Sequence, residues 1–121
     1  MADAIRPAVR ENIKSSVPSC MITWSSLDSD DSGEPVQLVD YPDRTVIITG
    51  VFGLNGSITI QGSNDNVNWF PFTDGQGNAI TKLAAAMELL IEGPLYIRPL
   101  VTAGDGTTNL TVKLFCRRSV R

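Results

Sequence analysis

The chain has 121 residues and a net charge of -3, and 42% of its residues are hydrophobic. These values predict one globular domain, and no apolar run approaches the ~20 residues of a membrane-spanning helix. Histidine is absent, which excludes the serine and cysteine triads that use it as a base and removes the commonest transition-metal ligand. We therefore expect neither an enzyme nor a cofactor, and no contact with a membrane.

The charges are unevenly distributed along the chain. Residues 1–14 and the tail, with Arg117, Arg118 and Arg121, are net basic, whereas the body between them has four basic residues against eleven acidic ones. A nucleic-acid-binding protein would instead carry a basic face among aromatic residues. The pattern suits a body whose ends contact acidic neighbours, although solvated charges without a specific partner would look the same.

Residues 1–18 differ from the rest of the sequence and end at Pro18. Ile5, Val9 and Ile13 recur every fourth residue, and Pro7 stands where a first helical turn would tolerate it. Such a short helix is marginal alone in water. We therefore predict an arm, residues 1–18, that orders against a partner or is frayed, and a separate domain over residues 19–121.

From Ser19 onward the residues alternate as in strands. The predicted strands of the first half are "CMITW" (20–24), "VQLVDY" (36–41), "TVIITGVF" (45–52), "SITIQG" (57–62) and "VNWFPF" (67–72). Asn55-Gly56 predicts a hairpin between the third and fourth, because both residues accept positive φ. "GSNDN" (62–66) predicts a second corner closed by side-chain hydrogen bonds, and Pro71 restricts its strand to a sheet edge or a bulge.

The second half contains one ambiguous segment and two clear strands. Residues 80–93 favour helix by propensity but lie between strand and turn signals, so we predict a strand at 87–91 after a helical turn. "PLYIRPLVT" (94–102) and "TNLTVKLFCRR" (108–118) complete about eight strands. Their spacing predicts an all-β antiparallel β-sandwich or jelly roll with an extended N-terminal arm. Cys20 and Cys116 are expected to be buried thiols on its first and last strands.

Each candidate site in the sequence also has an ordinary structural explanation. "DSDDSG" (28–33) has the start of a calcium loop but Val39 where the bidentate glutamate belongs, so a solvated loop is the simpler interpretation. Three aspartates could converge at one end of the sandwich or merely close their turns: Asp65, Asp74 and Asp105. Trp24 and Trp69 could stack on a ligand, but tryptophans beside strands are more often core or interface anchors. One ring of the Trp69-Phe70 pair must point outward and favours a contact surface.

Two stretches carry a resemblance to a known group of proteins. "DRTVIITGVFGLNGSITIQGSNDNVNWFPFTDGQGNAI" and "YIRPLVTAGDGTTNLTVKL" resemble small structural proteins of tailed phages, which carry a "tGtFG…GSxxIQGSND…NW…LtDxqGn…IRPxvTaGdGtt…TV" pattern. The similarity extends from about Asp43 to Leu114. The chain departs from the pattern at Val51, Asn66 and Phe72, where threonine, glycine and leucine are common.

The resemblance implies a virion component, a capsid decoration (cement) protein on the outside of the shell. Its implied partners are the major capsid protein and further copies of itself, a trimer being favoured over a dimer. The interface residues that we predict lie in the arm, the aromatic pair and the tail: Ile5, Arg6, Val9, Arg10, Trp69, Phe70, Arg117, Arg118 and Arg121. A second interpretation is a carbohydrate-binding module, since "GSNDNVNW" also resembles the "SnDG.nW" corner of discoidin-type sandwiches. A neck or tail component is a third.

Overall fold

The alternation in the sequence is realised as strands. The computed structural model describes residues 5–13, 18–38, 41–74, 76–90 and 92–118, and within them it has twelve strands and no helix. A membrane-spanning helix is accordingly not found among these residues. In chain order the strands are β1 (Ile5–Arg6), β2 (Val9–Ile13), β3 (Ser19–Leu27), β4 (Ser32–Gly33), β5 (Val36–Gln37), β6 (Asp43–Val51), β7 (Ser57–Ser63), β8 (Phe70–Pro71), β9 (Thr81–Lys82), β10 (Ala86–Leu90), β11 (Tyr96–Ala103) and β12 (Asn109–Arg117).

The strands form two sheets that pack face to face. The five-stranded sheet has the order β10-β6-β12-β3-β2 and is antiparallel throughout. The seven-stranded sheet has the order β1-β4-β11-β7-β8, with β5 also paired to β11 and β9 to β7. Only the β1–β4 pair of the described strands is parallel. The predicted fold class, an all-β sandwich, is confirmed; the number of strands exceeds eight because five of them have only two residues.

The core lies between the sheets and follows the predicted alternation. Leu110, Val112 and Leu114 are fully buried, while Lys113 faces solvent. Trp24 is also buried, and its indole Nε1 donates to the carbonyl of Glu34 at 3.0 Å. A tryptophan whose N–H is satisfied inside the core is an anchor of the fold and not a stacking platform.

The two cysteines occupy the predicted positions. Cys20 and Cys116 are buried and lie directly opposite each other on β3 and β12. Both are free thiols, with their sulfurs 3.1 Å apart. Burial, followed by the hydrogen bond to Cys20, raises the pKa of the Cys116 thiol.

The N-terminal segment closes one side of the sandwich. Residues 5–6 pair with β4 of one sheet, and residues 9–13 pair with β3 of the other, so the chain crosses between the sheets at Pro7-Ala8. The helical alternative is therefore wrong for the described part of the segment. Strand pairing is favoured over the helix because each sheet has an edge with unpaired backbone groups that the segment can bond. A short isolated helix has only marginal stability in water. The boundary of a separate arm at residue 18 stays a prediction.

The predicted hairpin at Asn55-Gly56 is wrong, although the turn itself exists. Asn55 has the expected positive φ of 58°, but β6 lies in the five-stranded sheet and β7 in the other. Five residues, 52–56, separate these strands, whereas the favoured hairpin needs two. The turn consequently carries the chain across the sandwich instead of back along one sheet.

The remaining predictions concern the middle of the chain. Pro71 does lie on an edge strand, β8. Residues 86–90 form β10, as predicted for most of 87–91, but the helical turn before them is wrong, since residues 83–84 form a bend and residue 85 has no regular structure. Ile91 lies outside the described residues. Pairing with β6 supplies backbone hydrogen bonds that outweigh the helical propensity of the alanines.

Candidate interaction surfaces

The arm residue Arg6 is bound within its own chain. Its Nε donates to Asp31 Oδ2 at 2.8 Å and its Nη2 to Asp28 Oδ2 at 3.2 Å. Asp31 is 2% exposed and also accepts from the Asp28 amide at 2.9 Å. The hydrogen bond to Asp31 raises the pKa of the Arg6 guanidinium. A cation of the protein itself, the Arg6 guanidinium, thus lies at the loop that resembles the start of a calcium site. Asp31 in this loop is buried, so the prediction of a solvated loop is wrong for that residue.

Among the other predicted arm residues, the two apolar ones are largely exposed. Ile5 and Val9 are 71% and 62% exposed, so the hydrophobic effect does not hold them to this chain. Arg10 lies over the ring of Tyr41, 5.5 Å from its centroid. The Ala8 amide donates to Glu34 Oε1 at 2.9 Å and fixes the crossing point of the segment.

The tail residues lie at the end of β12. Arg117 Nε is 3.6 Å from Asp43 Oδ2, and the Arg118 amide donates to the Pro18 carbonyl at 2.9 Å. Arg121 lies outside the described residues. Beside Arg117 is an open cleft of about 410 Å³ that Leu89 and Phe115 also line. The side chains of Arg117 and Arg118 remain accessible to an acidic neighbour, since both residues are exposed.

One ring of the aromatic pair points outward and the other is partly covered, as predicted. Phe70 is 69% exposed, whereas Trp69 is half-buried beneath the guanidinium of Arg98, whose Cζ lies 4.1 Å from the ring centroid. Arg98 is held in turn by Gln61, which accepts from its Nε at 3.0 Å. Phe70 borders an open cleft of about 360 Å³, lined by residues of the predicted corner. The outward ring is therefore Phe70.

Asp65 and Asp74 each close their own turn, and Asp105 accepts from the Thr107 amide of its own turn and from the Leu54 amide of another, both at 2.9 Å. Asp65 Oδ1 accepts from the Val67 and Asn68 amides at 2.9 and 2.8 Å, and hydrogen bonds from Asn68 and Val67 lower its pKa. Asp74 likewise accepts from residues 76 and 78, which lowers its pKa. The part of the chain that the structure describes has no group of three His, Cys, Asp or Glu residues able to hold a metal. Asp65, Asp74 and Asp105 do not converge.

The side of the sandwich opposite the N-terminal segment is uncovered. There β8 and β9 end the seven-stranded sheet and β10 ends the other. Lys82 Nζ and Glu88 Oε2, 2.5 Å apart, connect the two layers on this side. We call it the open edge; the large apolar residues exposed on it and on its flanking turns are Val67 (75%), Phe70 (69%), Leu83 (71%), Met87 (65%) and Leu89 (57%).

The residue order of β10 is a sequence signal for this surface that was not among the predictions. In "AMELL" (86–90) apolar residues stand at both alternating sets of positions. Such a strand cannot bury all of them against one core, because successive side chains point to opposite faces. Only Leu90 is buried, and Met87 and Leu89 remain exposed.

Comparison with known proteins supports the fold. No protein-family model matches the sequence, and no curated protein does. The chain is similar in structure to the SPBc2 prophage-derived protein YomS, with a TM-score of 0.63 and 16% identity over 88% of this chain and 99% of that one. At this identity the similarity establishes a shared sandwich architecture.

Weaker similarities extend to other β proteins. One is a sugar phosphate isomerase of the cupin superfamily from Silicibacter pomeroyi, with a TM-score of 0.43 and 13% identity over 91% of this chain and 60% of that one. Another is a carbohydrate-binding module of Cellvibrio mixtus lichenase 5A, with a TM-score of 0.33 and 14% identity over 94% and 88%. Neither is close enough to indicate an activity.

Proposed function

We propose that this chain is a structural protein of a phage virion, a capsid decoration protein that binds the outside of the major capsid shell and stabilises it. It acts by contact and transforms no substrate. The observation that carries the proposal is the open edge, where large apolar side chains and free strand edges lie together on one side of the sandwich.

Exposed apolar residues and unpaired strand edges mark surfaces that bind protein. Natural sheets protect their edges because a free row of N–H and C=O groups pairs readily with another chain. Grouped exposed apolar side chains likewise point to an interaction site. The open edge combines the two features, since Val67 and Phe70 are exposed in and beside β8, and Met87 and Leu89 are exposed on the outer strand β10.

Two further considerations favour a virion protein. The sequence from Asp43 to Leu114 resembles the pattern of small phage structural proteins, and the fold is similar to that of the prophage-derived YomS. The exposed tail residues Arg117 and Arg118 provide positive charge for an acidic shell surface. On a shell, each copy would bury apolar area worth about 25 cal/mol per Å², and the repeated lattice would multiply that gain over many sites.

Binding to purified shells tests the proposal. Full-length protein is incubated with DNA-free capsids of a phage that encodes it, the capsids are pelleted, and the bound protein is located by electron cryo-microscopy. Stoichiometric, regularly spaced density on the outer surface is expected. The Val67→Ser/Phe70→Ser double variant should bind at least tenfold more weakly. Leu54→Ser is the matched control, since Leu54 is 71% exposed in a turn elsewhere. Absence of wild-type protein from the shell, or its location only in the neck or tail, would contradict the decoration role.

One observation favours a second candidate, a carbohydrate-binding module on the virion. The exposed Phe70 ring borders the cleft of about 360 Å³ that Asn64, Asp65 and Asn68 line. An aromatic face beside amide and carboxylate groups suits a sugar ring. Glycan-array binding that disappears in Trp69→Ala or Phe70→Ala, without binding to capsids, would select this function over decoration.

A further inference from the structure

The outer strands of the two sheets differ in how they are protected. The arm strand β2 presents the exposed polar residues Arg10, Glu11 and Asn12. On the seven-stranded sheet, β1 has two residues and β8 contains Pro71. Charge, shortness and proline are the devices that keep strand edges from pairing with another chain.

Strand β10 has none of these devices on its outer face. It has five residues, pairs with β6 on one side, and has no described strand on the other. Met87 and Leu89 are 65% and 57% exposed on the outward face. Its one charge, Glu88, is half-buried and neutralised by Lys82 at 2.5 Å. Among the outer strands of the described chain, β10 is therefore the one prepared to accept another strand.

The order of residues in β10 makes it complementary to itself. In an antiparallel pair centred on Glu88, Met87 of one copy lies opposite Leu89 of the other, and Leu89 lies opposite Met87. Directly opposed apolar side chains are the stabilising unit of such a pair. The two Glu88 residues meet at the centre, where like charges would repel, but each already has its own Lys82.

We infer that β10 pairs edge to edge with β10 of a second copy of this chain, giving a two-fold symmetric dimer. The two five-stranded sheets then become one continuous ten-stranded sheet, and both apolar side chains of each β10 gain a partner. Because the same surface is used by both copies, the contact closes on itself. It predicts a dimer where the sequence resemblance favoured a trimer, and it does not depend on the virion assignment.

Analytical ultracentrifugation of the full-length protein, without any capsid, tests this inference. The wild type is expected to sediment as a dimer and Met87→Lys/Leu89→Lys as a monomer. Val51→Lys is the matched control, because Val51 is 55% exposed at the end of β6 in the same sheet; it should remain a dimer. Far-UV circular dichroism establishes that the variants are folded. A monomeric wild type at micromolar concentration, or a double-lysine variant that stays dimeric, would overturn the inference.

Cysteine cross-linking tests the register. When Met87→Cys and Leu89→Cys proteins are mixed and oxidised, a disulfide-linked dimer should form in the mixture and much less in either protein alone. Efficient cross-linking within one variant, or none in the mixture, contradicts pairing centred on Glu88. If the wild type is monomeric and the Leu89→Lys variant no longer binds capsids, β10 pairs with a strand of the shell and not with a second copy of this chain. If the wild type forms the dimer but does not bind capsids, only the proposed function is contradicted.

Discussion

Arg6 and Asp31 form an ion pair across 25 positions of the sequence, with 2.8 Å between Nε and Oδ2. The Asp31 side chain is 3% exposed and the Arg6 side chain 32%. The pair fastens the N-terminal segment to the loop before β4, and the Glu34 amide, which donates to the Arg6 carbonyl at 2.8 Å, holds the adjoining backbone. The segment is thus bound by polar contacts, while its apolar residues Ile5 and Val9 stay exposed.

Removing either partner of this pair should loosen the segment. Asp31→Ala removes the acceptor of the Asp28 amide and of Arg6 Nε, and we expect it to lower the free energy of unfolding by about 1–3 kcal/mol. Arg6→Met should lower the Tm and speed proteolysis within residues 1–13, because it leaves a buried carboxylate without its cation. Arg117→Ala is the control, since its exposed pair with Asp43 at 3.6 Å should contribute little. Equal protease resistance of Arg6→Met and wild type would contradict the fastening role.

Asp105 should make stability depend on pH in the acid range. Its carboxylate accepts from Thr107 Oγ1 at 2.7 Å and from the Leu54 and Thr107 amides at 2.9 Å. These hydrogen bonds, that of the Thr107 hydroxyl first, lower its pKa from 3.8 to about 2. A pKa lowered by folding stabilises the protein above the unfolded-state value, and this contribution is lost as the pH falls from about 4 to about 2.

Asp105→Asn should therefore weaken the protein at neutral pH and flatten its response to acid. Urea unfolding at pH 7, 4 and 2.5 measures the effect. Some acid sensitivity should remain, because hydrogen bonds also lower the pKa of Asp65 and of Asp74, and the Asp65→Asn/Asp105→Asn double variant should respond to acid less than Asp105→Asn does. An unchanged slope in Asp105→Asn would show that the carboxylate bonds are not formed in solution.

The elements that sequence reasoning predicted correctly are those whose signal is local. Every second residue of strand β12 is buried and those between are exposed or partly exposed, and the corner at 62–66 closes through Ser63 and Asp65, whose side chains bond to amides two or three positions on. Pro71 restricted its own strand for a similar reason, because the missing N–H belongs to the residue itself. In these cases the determining contact lies within a few residues.

The errors arose where the outcome depends on distant residues. Asn55 takes its positive φ in either a hairpin or a crossing turn, and only the pairing of β6 with β12 and of β7 with β11 decides between them. The open edge was not predicted because β10 becomes an outer strand through sheet order, which alternation does not encode. The ion pair of Arg6 with Asp31 was not predicted because no short-range pattern connects the two residues; the assignment of Arg6 to an interface stays a prediction.

Gly33 should be intolerant of a side chain because β4 lies close to the core. A Cβ added there would be 2.5 Å from Pro99 Cδ and 2.6 Å from Trp24 Cδ1. Both neighbours are buried, so the added methyl has to displace packed rings. We expect Gly33→Ala to lower the free energy of unfolding by about 1–3 kcal/mol. Gly106→Ala, where nothing lies within 4 Å of the added Cβ, should stay within about 0.5 kcal/mol of wild type. Similar stability of the two variants would contradict the close approach of β4.

Cys20 and Cys116 should react with a thiol reagent only when the sandwich opens. Both are fully buried, and burial raises the pKa of Cys116, so the reactive thiolate is disfavoured in the folded state. Ellman's reagent should label native protein slowly, and the rate should rise with urea in parallel with unfolding. Ser25→Cys places a thiol at an exposed position of β3 and should react at once, which verifies the reagent. Rapid labelling of two thiols per native chain would mean that β3 and β12 separate readily, contrary to their central positions in the five-stranded sheet.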